Sequence, residues 1–149
     1  MIENRYRGYN MKKYYEFKEI SPRHFYSRTA SEHDIHVDAG KEIGGGDTAA
    51  RPFEYLMTGL AGCSGIDVSM ILEKMKVEYE EFNIKIDADR RDEDPGIFET
   101  IHMVYEFKGD NLPIDKLERA VKLSQEKYCG AAAIFKASAK LTYEIKVIN

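Results

Sequence analysis

Between residues 51 and 76 apolar side chains recur at helical spacing: Leu56, Leu60, Cys63, Val68, Ile71, Leu72 and Met75 fall three, four and seven apart, in the longest such pattern of the chain. The spacing predicts a helix of about five to six turns. Pro52 suits its first turn, where a missing N–H costs nothing, and Glu54 sets a negative charge at the positive end of the helix dipole. Gly59, Gly62 and Gly65 interrupt the pattern every third residue, each costing about 1 kcal/mol relative to alanine in a helix interior. Close approach of another backbone is the expected compensation, and the second helix of a tight core, the one leading to Cys129, is the expected neighbour. A passage for substrate beside Cys63 is compatible with the same small residues.

Elsewhere the period is two. Residues 14–20 and 24–29 read as strands on either side of Ser21-Pro22, and Ile35 and Val37 alternate with His36 and Asp38 in a short third strand. Residues 41–50 contain Gly44, Gly45 and Gly46 and read as a flexible loop; without a following Gly-Lys-Ser/Thr it is no phosphate-binding loop. After the long helix, Phe82, Ile84, Ile86 and Ala88 alternate with polar residues. Past a turn at 92–96, Ile101, Met103, Tyr105 and Phe107 share one face opposite Thr100, His102, Val104 and Glu106, giving a hairpin. Leu117, Ala120, Val121, Leu123 and Ser124 predict a second helix ending near Tyr128. Residues 130–140 have the alanine content of a third, and Leu141, Tyr143, Ile145 and Val147 close the chain as a strand. Meander, long helix, hairpin, two helices and a strand make an α+β fold with helices covering sheet.

A chain of 149 residues is expected to form a single domain, 1–149. Its charged residues, 32% of the total with a net charge of -4, are interspersed without a basic stripe, which argues against nucleic acid. Continuous apolar runs fall far short of a membrane span and the charged, tyrosine-rich start has no signal-peptide segment, so the expectation is a cytoplasmic protein with no membrane partner.

Candidate chemistry rests on two cysteines, 66 positions apart, which form neither a CxxC pair nor a zinc ligand set. Cys129 falls at the join of two helices, near the start of the third, where the dipole lowers a thiol pKa; by local physics it is the more acidic thiol. Cys63, in mid-helix, needs an arginine or a hydrogen-bond donor from elsewhere to be activated. If the two helices cross at the glycines, the two sulfurs come within disulfide range. His33 and His36, three apart on a strand, point to opposite faces, and His24 and His102 lie in other elements, so no metal site is expected. Ser64 and Ser69 show no nucleophile-elbow pattern.

Residues 52–76, with Cys63 eleven positions after Pro52, and the sequence SQEKYC at 124–129 resemble the OsmC-like superfamily of osmotically inducible and organic hydroperoxide resistance proteins. The nearest branch has PxELLxxLxGCxxxDVxxILxKM as its first motif and LSxEKYC as its second, and the resemblance spans about residues 15–147. It implies an intertwined homodimer with sites at the interface and cysteine-dependent reduction of organic hydroperoxides at the expense of a dithiol reductant, without cofactor or metal. Carried over, Cys63 is the peroxidatic thiol, in place of the dipole ranking, and Cys129 the resolving one. The family's glutamate directly follows the proline; here Phe53 stands there and the acid is Glu54, about 100° further round a helix. The family's arginine follows a glycine pair between strands, where this chain reads TASEHD and the nearest arginine is Arg28. A non-catalytic dimer of the same fold, binding a small-molecule or lipid-like ligand, is the alternative.

Overall fold

A computed structural model describes residues 14–148; residues 1–13, where the tyrosine-rich start begins, and residue 149 lie outside the described residues. Among the described residues six strands and three α-helices follow the expected order: β1 (Lys18–Ser21), β2 (His24–Arg28), β3 (Asp34–Asp38), α1 (Pro52–Lys74), β4 (Glu81–Arg90), β5 (Phe98–Lys108), α2 (Ile114–Leu123), α3 (Gly130–Lys136) and β6 (Lys140–Ile148). The α+β class is as expected. Two compact units divide the chain, Met1–Leu56 and Met57–Asn149.

In the first unit β1, β2 and β3 form an antiparallel sheet in that order, with Tyr26 opposite Lys18 on one side and His36 on the other. Residues 41–50 are less free than their glycines suggest. Asp38, at the end of β3 and only 1% exposed, accepts hydrogen bonds from the Thr48 N–H (2.9 Å), the Thr48 hydroxyl (2.8 Å), the Ala39 N–H (2.8 Å) and the Gly46 N–H (3.3 Å). A single 3-10 turn, Lys41–Ile43, ends at Gly44 in the left-handed region (φ 84°). A Cβ on Gly45 would sit 2.1 Å from the Ala39 carbonyl oxygen, so only glycine lets the loop fold back on the strand end.

Those donors, the Thr48 N–H foremost, hold the Asp38 carboxyl down at about 2 against the opposing effect of its burial. A folded-state pKa below the unfolded value near 3.9 gives stabilisation that is complete above about pH 4 and is lost as pH falls towards about 2. Amide exchange at Gly46 and Thr48 should therefore accelerate through that acid window, and Asp38→Asn should speed it already at neutral pH. Protection that is flat across the window would detach the loop from this carboxylate.

In the second unit β5 lies between β4, antiparallel, and β6, parallel, with Tyr105 facing Ile84 and Ile145 in register. A parallel neighbour cannot be reached by a tight turn, which is why two helices intervene between β5 and β6. Leu60, Val68, Ile71 and Leu72 of α1, Ile101, Met103, Tyr105 and Phe107 of β5, and Leu117, Ala120 and Val121 of α2 are wholly buried. Phe107 stacks on Phe82 with ring centroids 4.4 Å apart. Glu106, on the face expected to be polar, is buried to 8% exposure and pairs with Lys85 at 2.5 Å.

Although no continuous apolar run is long enough to span a bilayer, α1 has the length and apolar composition of a membrane-crossing helix. One face of it is buried in the protein, with Leu60, Val68, Ile71 and Leu72 wholly covered and Ser64 bonded to Tyr105 of β5 and to Ser124. Two helix ends differ from expectation. α2 stops at Leu123 and the chain continues through one π-helical turn, Ser124–Tyr128, while α3 ends at Lys136 so that Lys140 already belongs to β6.

Within the described residues of one chain, the glycine face does not pack on the helix leading to Cys129. A Cβ on Gly59 or Gly62 would meet nothing of the described chain within 4 Å, and one on Gly65 would meet Ile84 Cδ1 of β4 at 3.2 Å. With Ala61, Ile66, Ser69, Met70, Phe82 and Asn83, Gly62 and Gly65 line an open groove of about 540 Å³ between α1 and β4. The small residues leave this side of the helix bare because the buried side is the opposite one.

Candidate functional site

That buried side of α1 is not uniformly apolar. Ser64 and Asp67 are both fully buried among Leu60, Val68, Ile71 and Leu72. Polar groups taken out of water need partners, and here the partners come from β5 and the π turn. Tyr105 Oη lies 2.6 Å from Ser64 Oγ and accepts from Gln125 Nε2 at 2.6 Å. Ser64 Oγ lies 2.9 Å from Ser124 Oγ, whose hydroxyl donates to Asp67 Oδ2 at 3.4 Å. One consistent run of donors therefore goes from Gln125 through Tyr105, Ser64 and Ser124 to the Asp67 carboxylate. Burial pushes the Tyr105 pKa up, against the hydrogen bonds with Ser64 and Gln125, so its hydroxyl stays a donor.

The π turn makes this possible. Its extra residue lets neighbouring Ser124 and Gln125 both turn inward, where each is buried. The Cys129 N–H closes the turn on the Ser124 carbonyl (2.8 Å), and Lys136 Nζ donates to the Gln125 carbonyl (2.5 Å).

Cys129 emerges from the turn as the N-cap of α3, its Sγ accepting from the Ala132 N–H at 3.3 Å. Its expected place near the start of the third helix is found, but its acidity runs the other way. Burial is the larger effect and pushes the thiol up to about 11, the neighbouring Cys63 thiol adds to the rise, and the Ala132 and Ala131 N–H groups only partly offset it. Cys129 is 4% exposed, whereas Cys63 is half-buried; both are free thiols.

The fold brings these parts together without the glycine crossing. Cys63 Sγ, Cys129 Sγ and an Asp67 carboxylate oxygen all lie within 4.8 Å of one another. Asp67 stands four residues after Cys63 on α1, one turn along the same face. The sequence carried the signal for it: an aspartate inside an apolar helical stripe, at i+4 from a cysteine, is costly to bury unless its surroundings use it.

Most other sequence candidates lie in the first unit. The Glu54 carboxylate accepts the Arg51 N–H at 2.7 Å, the returning half of a capping box on the first turn of α1. Arg28 donates to Asp34 Oδ1 at 3.1 Å within the first sheet. Strand pairing joins two histidines that sequence spacing separates: His24 Nε2 and His36 Nδ1 are 2.9 Å apart across β2 and β3. His33 precedes β3 and bonds to Ser31, and His102 bonds to Thr142.

Comparison with known proteins places these features. Residues 44–144 match the family described as OsmC-like protein, which takes in both cysteines and Asp67. Protein YhfA of Escherichia coli K12 is 33% identical over 124 residues, 83% of this chain and 90% of YhfA. A solved structure of a protein from Aquifex aeolicus VF5 superposes with a TM-score of 0.77 at 32% identity, covering 94% of this chain and all of that one (100%). An organic hydroperoxide resistance protein OsmC from Legionella pneumophila shares the fold at a TM-score of 0.64 and 14% identity, over 92% of this chain and 99% of its own.

Proposed function

This chain belongs to the OsmC-like family, and from that premise we propose that it reduces organic hydroperoxides through Cys63, with Cys129 as the resolving thiol. The observation that carries the reading is the pair of free sulfurs held within 4.8 Å of each other, one reachable and one buried. At about 11 the Cys129 thiol is roughly one part in ten thousand thiolate at neutral pH, so it waits rather than attacks. Half-buried Cys63 is the sulfur a hydroperoxide can reach.

The chemistry is a two-step exchange. The Cys63 thiolate attacks the outer peroxide oxygen, the O–O bond breaks, and the alkoxide leaves with a proton as alcohol, giving a Cys63 sulfenic acid. Cys129 then displaces hydroxide, which takes up a proton as water, and the Cys63–Cys129 disulfide forms. Closing it needs the sulfurs to approach to about 2.05 Å, a side-chain rotation for groups already this near. An external dithiol restores both thiols. The protein acts in this proposal as a cytoplasmic homodimer, and a second copy covers the bare glycine face of α1, where Ile66 is 59% exposed.

Glu54 enters the proposal as the acid that stands in for the family glutamate, besides capping α1. The test is consumption of cumene hydroperoxide by the wild type with a dithiol reductant, alongside Glu54→Gln, which keeps an acceptor oxygen for the Arg51 N–H. Turnover is expected in the wild type and several-fold slower Cys63 oxidation in the variant at an unchanged melting temperature. Equal rates would leave Glu54 the cap alone; no turnover in the wild type would favour a ligand-binding dimer of the same fold.

A further inference from the structure

Two thiols and a carboxylate that converge in a buried place are also a ligand set. We propose that Cys63, Asp67 and Cys129 bind a thiophilic divalent cation, Zn²⁺ or Cd²⁺, through both sulfurs and one carboxylate oxygen, with a fourth position open on the accessible side of Cys63. This stands on ligand geometry and is independent of the hydroperoxide chemistry.

Tetrahedral zinc with sulfur at about 2.3 Å and carboxylate oxygen at about 2.0 Å sets its ligand atoms roughly 3.5 to 3.8 Å apart. The three atoms here lie within 4.8 Å, so drawing them onto one ion closes each separation by at most about 1.0 to 1.3 Å. Cys63 and Asp67 share a face of one rigid helix, and Cys129 is fixed at a helix cap; three of four tetrahedral positions are thus set by backbone that is already ordered. Each buried ligand also has an outer partner: the Ser124 hydroxyl on Asp67 Oδ2 and the Ala132 N–H on Cys129 Sγ. Binding displaces two thiol protons and leaves a site of net charge one minus, two thiolates and a carboxylate against a dication.

Cobalt(II) titration of the reduced, tag-free full chain tests this, because tetrahedral Co²⁺ reports its ligands through d–d bands and sulfur-to-metal charge transfer. One Co²⁺ per chain with charge-transfer absorption, displaced by Zn²⁺, is expected, and Zn²⁺ should slow alkylation of both cysteines by iodoacetamide. Asp67→Asn, which keeps both sulfurs, should weaken binding by at least about tenfold. Cys129→Ser should cut the charge-transfer intensity by about half, one sulfur of two being lost. Wild-type protein that shows no sulfur charge transfer at millimolar Co²⁺ would overturn the proposal, as would an Asp67→Asn variant that folds and binds as tightly as wild type. Should Asp67→Asn not fold, unchanged charge transfer in Cys129→Ser would overturn it equally.

Discussion

Cys63→Ser should abolish hydroperoxide consumption, while Cys129→Ser should consume about one equivalent and stop, because the first step needs only the peroxidatic thiol. The stalled product in Cys129→Ser is a Cys63 sulfenic acid, trapped by a dimedone-type reagent, or the sulfinic acid that excess oxidant makes from it. The two variants differ for a structural reason. Cys129 keeps its place at the cap of α3 in Cys63→Ser, but it remains buried, and the desolvation that lifts its pKa to about 11 persists. It cannot take over the attack. Equal residual rates in the two variants would show that the thiols are interchangeable and would contradict the assignment of roles.

Tyr105→Phe should lower stability by about 1 to 3 kcal/mol, the cost of leaving buried polar groups unsatisfied. The hydroxyl lost is central. Ser64 Oγ and Gln125 Nε2 each meet it at 2.6 Å, and among the described residues the hydrogen bond left to Gln125 Nε2 is that to the Met103 sulfur at 3.3 Å. Urea unfolding should show a lower midpoint at an unchanged slope. Because the same chain of hydroxyls ties the π turn, and so Cys129, to α1 and Cys63, slower disulfide closure should accompany the loss. A Phe variant of wild-type stability would mean that the network contributes no net stability, as when a polar pair is replaced at no cost.

The long helix, the hairpin and the α+β order were legible because periods of 3.6 and 2 report burial directly: Leu60, Val68, Ile71 and Leu72 are buried as the stripe requires. The same reasoning failed where polar residues take core positions. Ser64 and Asp67 sit on the buried face while Leu56, counted in the stripe, is 45% exposed, since hydrogen bonds from a distant strand and turn, invisible to local pattern, make their burial tolerable. Glycine spacing pointed to a close contact, and only Gly65 has a neighbour in the described chain. A glycine pattern records that side chains are missing from a face but not what faces it. The helix dipole favours acidity at Cys129, and desolvation, which depends on the whole fold, is the larger effect there. Convergence of Cys63, Asp67 and Cys129 depended on a π turn that no sequence period announces. His24 and His36 likewise met only through strand register.

The most direct measurement is the mass of the cysteine-containing peptides after reduced wild-type protein has met one equivalent of an organic hydroperoxide under denaturing, alkylating quench. The proposed function predicts one intramolecular Cys63–Cys129 disulfide per chain, two hydrogens lighter than the dithiol and reversed by a dithiol reductant. Both cysteines recovered as alkylated thiols, with the hydroperoxide unconsumed, would contradict it.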